Sequence, residues 1–322
     1  MPCNYQVFQR DTSNKAEVPI TASFPGAAHE LQARVVRTSD NDQVVVDWQA
    51  VPAAACTSCS AAIAVPAGGW YQLQVRALDE GGGIIGEASV EKFGVGEVFV
   101  CAGQSNAANH GDVARIADDD RAASFDGSKW SHCEDPQKGA SGDGGSPWPV
   151  LGDLLVRHLD MPVAFASVGI GGSSVKIWQP GTEGYDKLKH VLVALGTNGA
   201  RAVLWHQGET DVVDGMPARQ YEALLTNTIR HSRVDAGYDV AWFVANVGFV
   251  PEDREQPPGH NDVIRSAQRA LWEKGIAYQG PDTDELSDPK FRSPDRLHFS
   301  DLGLKAHAQL WFDERESMLR SS

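Results

Sequence analysis

Up to about residue 94 the chain alternates apolar and polar positions over short segments. Residues 31–37, 43–48 and 70–77 keep the two-residue period of strands with one buried face. Turn-forming residues separate them, among them Ser39 to Asp42 and the run Gly81, Gly82, Gly83, and no 3.6-residue period competes. This pattern predicts a small, Ig-like all-β sandwich over residues 1–94.

From Glu97 the texture changes. Short apolar runs at 97–102, 163–168, 202–206 and 240–247, with a weaker one at 276–279, alternate with segments of helical length at 149–159, 185–195, 218–232, 262–274 and 302–319. Strand and helix in alternation predict a parallel sheet covered on both faces. Five strands suit a flavodoxin-like, three-layer α/β/α domain over 95–322, with ligands bound at the carboxyl ends of the strands. Residues 107–147, rich in Asp, Gly and Ser, break the rhythm. A loop of that length is either functional or a mobile insertion, and its place just after the candidate nucleophile makes it a wall or lid of a site.

Composition narrows the possibilities. Of 322 residues, 42% are hydrophobic and 22% charged, which describes a globular protein rather than a disordered or fibrous one. No apolar run approaches the roughly 18–20 residues that cross a bilayer. The opening MPCNYQVFQRD lacks the basic and apolar segments of a signal peptide, so a cytoplasmic protein and a mature exported one both fit. A net charge of −15 without a basic run argues against nucleic acid and anionic membrane as partners, and favours a neutral substrate over a polyanion. Cys56 and Cys59 form a CxxC, but Cys3, Cys101 and Cys133 are scattered. A local disulfide or two thiols therefore fits better than zinc, and neither metal nor cofactor is expected. Nothing in the pattern fixes the oligomeric state.

The candidate chemistry begins where strand 97–102 runs into Gly103, Gln104, Ser105, Asn106. Small residues let the backbone turn sharply and set the Ser105 hydroxyl at the strand end. Alone, such a serine more often satisfies a turn or helix cap; as a nucleophile it needs a base, itself held by an acid. Asp295 stands three residues before His298, and no other histidine has an aspartate at that spacing. One short turn could aim both at the same point, although with Pro294 the same residues would suit a cap ahead of Leu302. Two further loops could donate to an oxyanion. One is Gly169 to Ser173; the other is His206, Gln207, Gly208, Glu209, through the Gln207 amide. Neither carries a dinucleotide or Walker fingerprint.

Together these blocks resemble the SGNH hydrolase superfamily and, within it, the sialate O-acetylesterase-like carbohydrate esterases. The resemblance covers about residues 96–310 and is carried by GQSN at 103–106, GGSS at 171–174 with Trp178, HQGETD at 206–211 and DRLHFSDLG at 295–303. It implies a serine esterase that removes O-acetyl groups from a carbohydrate through an acyl-enzyme, with Ser105 as nucleophile, His298 as base and Asp295 as orienting acid. Oxyanion donors would be the Ser105 amide, Gly171 with Gly172 in reserve, and Gln207. Trp178, Asn106 and Glu209 become candidates for substrate contact, Glu209 and Asp211 serving otherwise as braces of the loop. The resemblance also favours a secreted or periplasmic location. The chain departs from the better-known branch, which has GDSL around the serine and asparagine where Gln207 stands. Three rival readings remain: an α/β-hydrolase, against which Ala107 breaks GxSxG; an inactive carbohydrate-binding protein; and a lipase or thioesterase, which would need a long apolar groove.

Overall fold

The computed structural model describes residues 1–38, 43–51, 56–251, 257 and 259–320, without the side chains of 24–27 and 56–59. The turn expected at Ser39 to Asp42 and the thiols of Cys56 and Cys59 lie outside what is described.

The first part of the chain is built from strands β1 (Gln6–Gln9), β2 (Lys15–Ala28), β3 (Glu30–Arg37), β4 (Val44–Val51), β5 (Cys56–Pro66), β6 (Gly68–Leu78) and β7 (Ile84–Gly103). β2 and β5 pair antiparallel as one sheet, and β4, β3, β6 and β7 follow one another antiparallel in another. Alternate residues of both sheets meet in a shared core that includes Val18, Ile20, Val35, Val65, Leu73, Val75 and Phe93. The period-two pattern of 31–37 and 70–77 is the inward face of β3 and β6.

β7 does not stop at residue 94. Over its first half it pairs with β6, and from Glu97 it pairs parallel with strands of a second sheet. That sheet adds β8 (Ala122–Phe125), β9 (Trp130–His132), β10 (Val163–Ser167), β11 (Ala202–His206), β12 (Ala241–Asn246) and β13 (Tyr278–Asp282). Its order is β13-β12-β11-β7-β10-β8-β9, parallel except for β9. All five expected strands are present, but the expected five-stranded sheet is corrected to seven. The missed β8 is Ala, Ala, Ser, Phe beside an Asp-rich turn, too short to show a period.

Helices α1 (Trp148–Leu159), α2 (Glu183–Leu195), α3 (Glu209–Val213), α4 (Ala218–Ala236), α5 (His260–Glu273), α6 (Asp301–Asp313) and α7 (Arg315–Arg320) complete the fold. The helix expected over 302–319 is two, α6 and α7. Side chains of β7 alternate between two cores: Val98, Val100 and Ala102 pack with α2, α4 and α5, while Phe99 and Cys101 pack with α1 and α6. The chain leaves β7 toward β10 on one side and later fills β11 on the other. The carboxyl end of β7 is therefore the switch point where such sheets form their crevice.

One buried and one surface cluster join the parts. Glu97, fully buried, accepts from Gln9 at 2.8 Å, from Arg201 at 2.7 and 3.1 Å, and from Arg10. Asp120 accepts from Tyr5 at 2.9 Å and Trp70 at 3.0 Å and pairs with Lys92.

Candidate active site

Gly103 closes β7 at a φ of +131°, and a Cβ there would lie 2.0 Å from the His206 carbonyl oxygen. Only glycine lets the two strand ends approach this closely. The Gln104 amide then donates to His206 O at 2.9 Å, and residues 105–107 form one 3-10 turn. Ser105 emerges beneath a cavity of about 280 Å³ whose lining includes Gln104, Ser105, His110, Gly172, Glu209 and His298. Val213, Val250 and Leu297 give the cavity its apolar wall.

His298 comes from a tight turn between the bridged residues Arg292 and Phe299. Its Nδ1 lies 2.6 Å from Asp295 Oδ2, while Asp295 Oδ1 accepts the amides of Leu297 at 2.9 Å and His298 at 3.0 Å. Burial pushes the Asp295 carboxyl up, but those two amides and the imidazole more than offset it and leave the group below the usual carboxylate range. With Asp295 charged, the proton of the Asp295–His298 bond sits on Nδ1 and Nε2 is left to accept. Arg292 anchors the turn by donating to the carbonyls of Leu286 at 2.7 Å, Leu297 at 2.9 Å and Thr283 at 3.1 Å. Among the described residues no hydrogen bond joins Ser105 Oγ to the imidazole; such contacts commonly tighten only when substrate enters.

The oxyanion candidates separate. The Gly171 amide donates to Ser141 Oγ at 2.6 Å, whereas Gly172, at a φ of +67°, lines the cavity with no neighbour crowding it. Neither the Ser105 nor the Gly172 amide has an acceptor among the described residues. Gln207 requires a correction. It is fully buried and its Nε2 donates to Ser173 O at 2.8 Å and Asp211 Oδ2 at 2.5 Å, while its oxygen accepts from Tyr221 at 3.0 Å. A carbonyl, a carboxylate and, at 3.1 Å, Gln104 Oε1 share the two amide hydrogens, so the side chain braces the loop instead of facing the cavity.

The substrate candidates change as well. Trp178 is fully buried, donates to Ser173 Oγ at 3.1 Å and packs edge-on against Trp205 at 5.1 Å. It offers no face to a sugar; its large apolar surface is core. Asn106 also turns inward, donating to Glu209 Oε1 at 2.8 Å. Glu209 does line the cavity, with its second oxygen unpartnered among the described residues. Asp211 acts as a brace, accepting the Val175 amide at 3.0 Å and the Ser174 hydroxyl at 2.5 Å at the end of the GGSS segment.

Three residues of the site had no role assigned from the sequence. His110 lines the cavity and stacks on His298 with ring centroids 5.4 Å apart, and burial with the neighbouring imidazole lowers its pKa against the pull of Asp143. Its position five residues beyond Ser105 was the only signal. Gln104 depends on contacts 103–106 residues away that no spacing reveals, whereas Arg292 meets carbonyls five to nine residues away in a segment without a regular period. The 107–147 segment forms part of the site wall through His110, and Ser141 of the same segment ties down the GGSS segment by accepting the Gly171 amide.

Solved structures share this architecture. XAC1771, a carbohydrate acetylesterase from Xanthomonas citri, is 18% identical with a TM-score of 0.63, over 98% of this chain and 74% of its own. A protein from Arabidopsis thaliana is 19% identical with a TM-score of 0.56, over 70% of this chain and 99% of its own. At these identities the likeness concerns the fold. No curated protein sequence matches significantly. The family described as carbohydrate esterase, sialic acid-specific acetylesterase, matches residues 95–311, most of the chain. The chain therefore belongs to the sialic acid-specific acetylesterase family of carbohydrate esterases and is a carboxylic ester hydrolase.

Proposed function

We propose that the protein removes O-acetyl groups from a carbohydrate by acyl transfer through Ser105. The observation that carries this reading is the meeting, in one cavity at the switch point of the sheet, of Ser105 and a histidine whose Nδ1 is bonded to Asp295. His298 Nε2 takes the hydroxyl proton as Ser105 Oγ attacks the ester carbonyl. The amides of Ser105 and Gly172, both without other acceptors among the described residues, point to the oxyanion role, so that Gly172 replaces Gly171 in it. The ester bond breaks, the sugar hydroxyl leaves with the proton from His298, and water then cleaves the acyl-enzyme by the same steps in reverse roles. A cavity of about 280 Å³ suits an acetyl group and the edge of one sugar better than a long acyl chain. In this reading residues 95–322 are the catalytic domain and 1–94 an all-β accessory domain.

The test is turnover of 4-nitrophenyl acetate and of an acetylated oligosaccharide, with a fluorophosphonate probe read in parallel. Ser105→Ala is expected to abolish labelling and to lower kcat by about 10⁴-fold or more while the fold survives. Near-normal turnover by this variant would end the proposal. Labelling of Ser105 with no hydrolysis of any acetylated sugar would keep the nucleophile and remove the substrate class.

A further inference from the structure

Gln207, the residue of the His206–Glu209 loop expected to donate to the oxyanion, has its two amide hydrogens shared among three protein acceptors, Ser173 O, Asp211 and Gln104 Oε1. Resting on the reading of Ser105 as nucleophile, we propose that Gln104 supplies the missing side-chain donor.

The orientation of the Gln104 amide follows from its partners. One branch of the side chain receives the backbone amides of Gly208 at 3.1 Å and Thr210 at 3.2 Å, together with Gln207 Nε2 at 3.1 Å. Backbone N–H groups only donate, so the atom they meet is the oxygen. The other branch is therefore the NH₂ group. It has two hydrogens and no acceptor among the described residues. Gln104 is 2% exposed, and the cavity it lines is the one that holds Ser105 and Gly172. A neutral donor held by three bonds, adjacent in sequence to the nucleophile and without a partner of its own, has the properties that oxyanion stabilisation requires: it is aimed before the reaction and needs no reorganisation during it. The geometry also gives Gln207 a role. Its Nε2 is one of the three donors that hold Gln104 Oε1, so it acts as a positioning residue behind the donor.

Gln104→Glu separates the two functions of the side chain. The isosteric carboxylate keeps an oxygen for the three clamping donors and removes both N–H groups from the cavity. The experiment measures kcat and KM on 4-nitrophenyl acetate for the wild type, Gln104→Glu and Ser105→Ala, with thermal melting. Fluorophosphonate titration counts the competent sites, so that a fraction of misfolded protein is not read as slow chemistry. The expected result is a fall in kcat per titrated site of about 10²–10³-fold, with KM changed less than about threefold. A kcat per titrated site within about fivefold of wild type overturns the proposal, as does a loss expressed entirely in KM. If Ser105→Ala is inactive while Gln104→Glu is not, this inference alone falls. If Ser105→Ala is active, the parent reading falls with it.

Discussion

Replacing Asp295 by asparagine tests the proposed mechanism at a single hydrogen. One carboxylate oxygen accepts two backbone amides, at 2.9 and 3.0 Å, and this half of the interaction survives when the asparagine oxygen occupies the same place. The turn and the position of the imidazole are thus preserved. The other half inverts: where Asp295 Oδ2 lies 2.6 Å from His298 Nδ1, the substituted side chain presents an NH₂ group. Nδ1 must then accept, the ring proton moves to Nε2, and the nitrogen facing the cavity loses the lone pair that would take the serine proton. Asp295 is about two-fifths exposed (39%), so solvent screens much of its charge, and the change of tautomer is the larger part of the effect. The expected loss for Asp295→Asn is about 10³–10⁴ in kcat, or roughly 4–5.5 kcal/mol of barrier, with little change in melting temperature. The assay is 4-nitrophenyl acetate hydrolysis across pH, corrected for competent sites. Because Asp295 is held below the usual carboxylate range, it contributes no limb to the pH–rate profile near neutrality, and its contribution to stability is lost only as pH falls through that lowered value. A variant retaining more than about a tenth of wild-type kcat at neutral pH would refute the reasoning.

Further predictions concern the supporting structure. Glu97→Gln leaves the Arg10 and Arg201 guanidiniums, with side chains 17% and 4% exposed, short of their shared carboxylate. It should lower stability in urea by about 3 kcal/mol, and an unchanged midpoint would show the cluster to be dispensable. Trp178→Ala should destabilise by about 3–5 kcal/mol and leave KM for an acetylated oligosaccharide unchanged at a permissive temperature. A raised KM without a fall in melting temperature would restore Trp178 as a sugar platform. Burial pushes the Cys101 thiol well up and that of Cys133 to about 12, so iodoacetamide on the native protein should alkylate Cys3 and leave both of these untouched, as peptide mapping would show.

The parallel strands were legible because a strand buried on both faces is a continuous apolar run, as β11 shows with Ala202, Val203, Leu204 and Trp205. Helices long enough to repeat their apolar face were legible for a similar reason. β8 was not, since four residues, three of them small, carry no period. At the site, the pairing of Asp295 with His298 follows from local spacing within one turn. Gln207 and Trp178 went astray because loop position predicts which side chains arrive near a site, whereas the acceptors already present decide where each one points. Ser173 and Asp211 turn Gln207 away, and the Trp205 ring claims Trp178. His110 reaches the cavity through the fold of a long loop, a tertiary event without a local signature.

β7 begins at Ile84, in the sheet it shares with β6, and ends at Gly103, two residues before Ser105. A single run of backbone thus belongs to both halves, and the anchors at Glu97 and Asp120 fasten its flanks. The rupture of one half would pull the ladder of the other out of register, because the strand is continuous from one to the other. Calorimetry should accordingly record one heat-absorption peak for the whole chain, and inactivation should coincide with melting of the front strands.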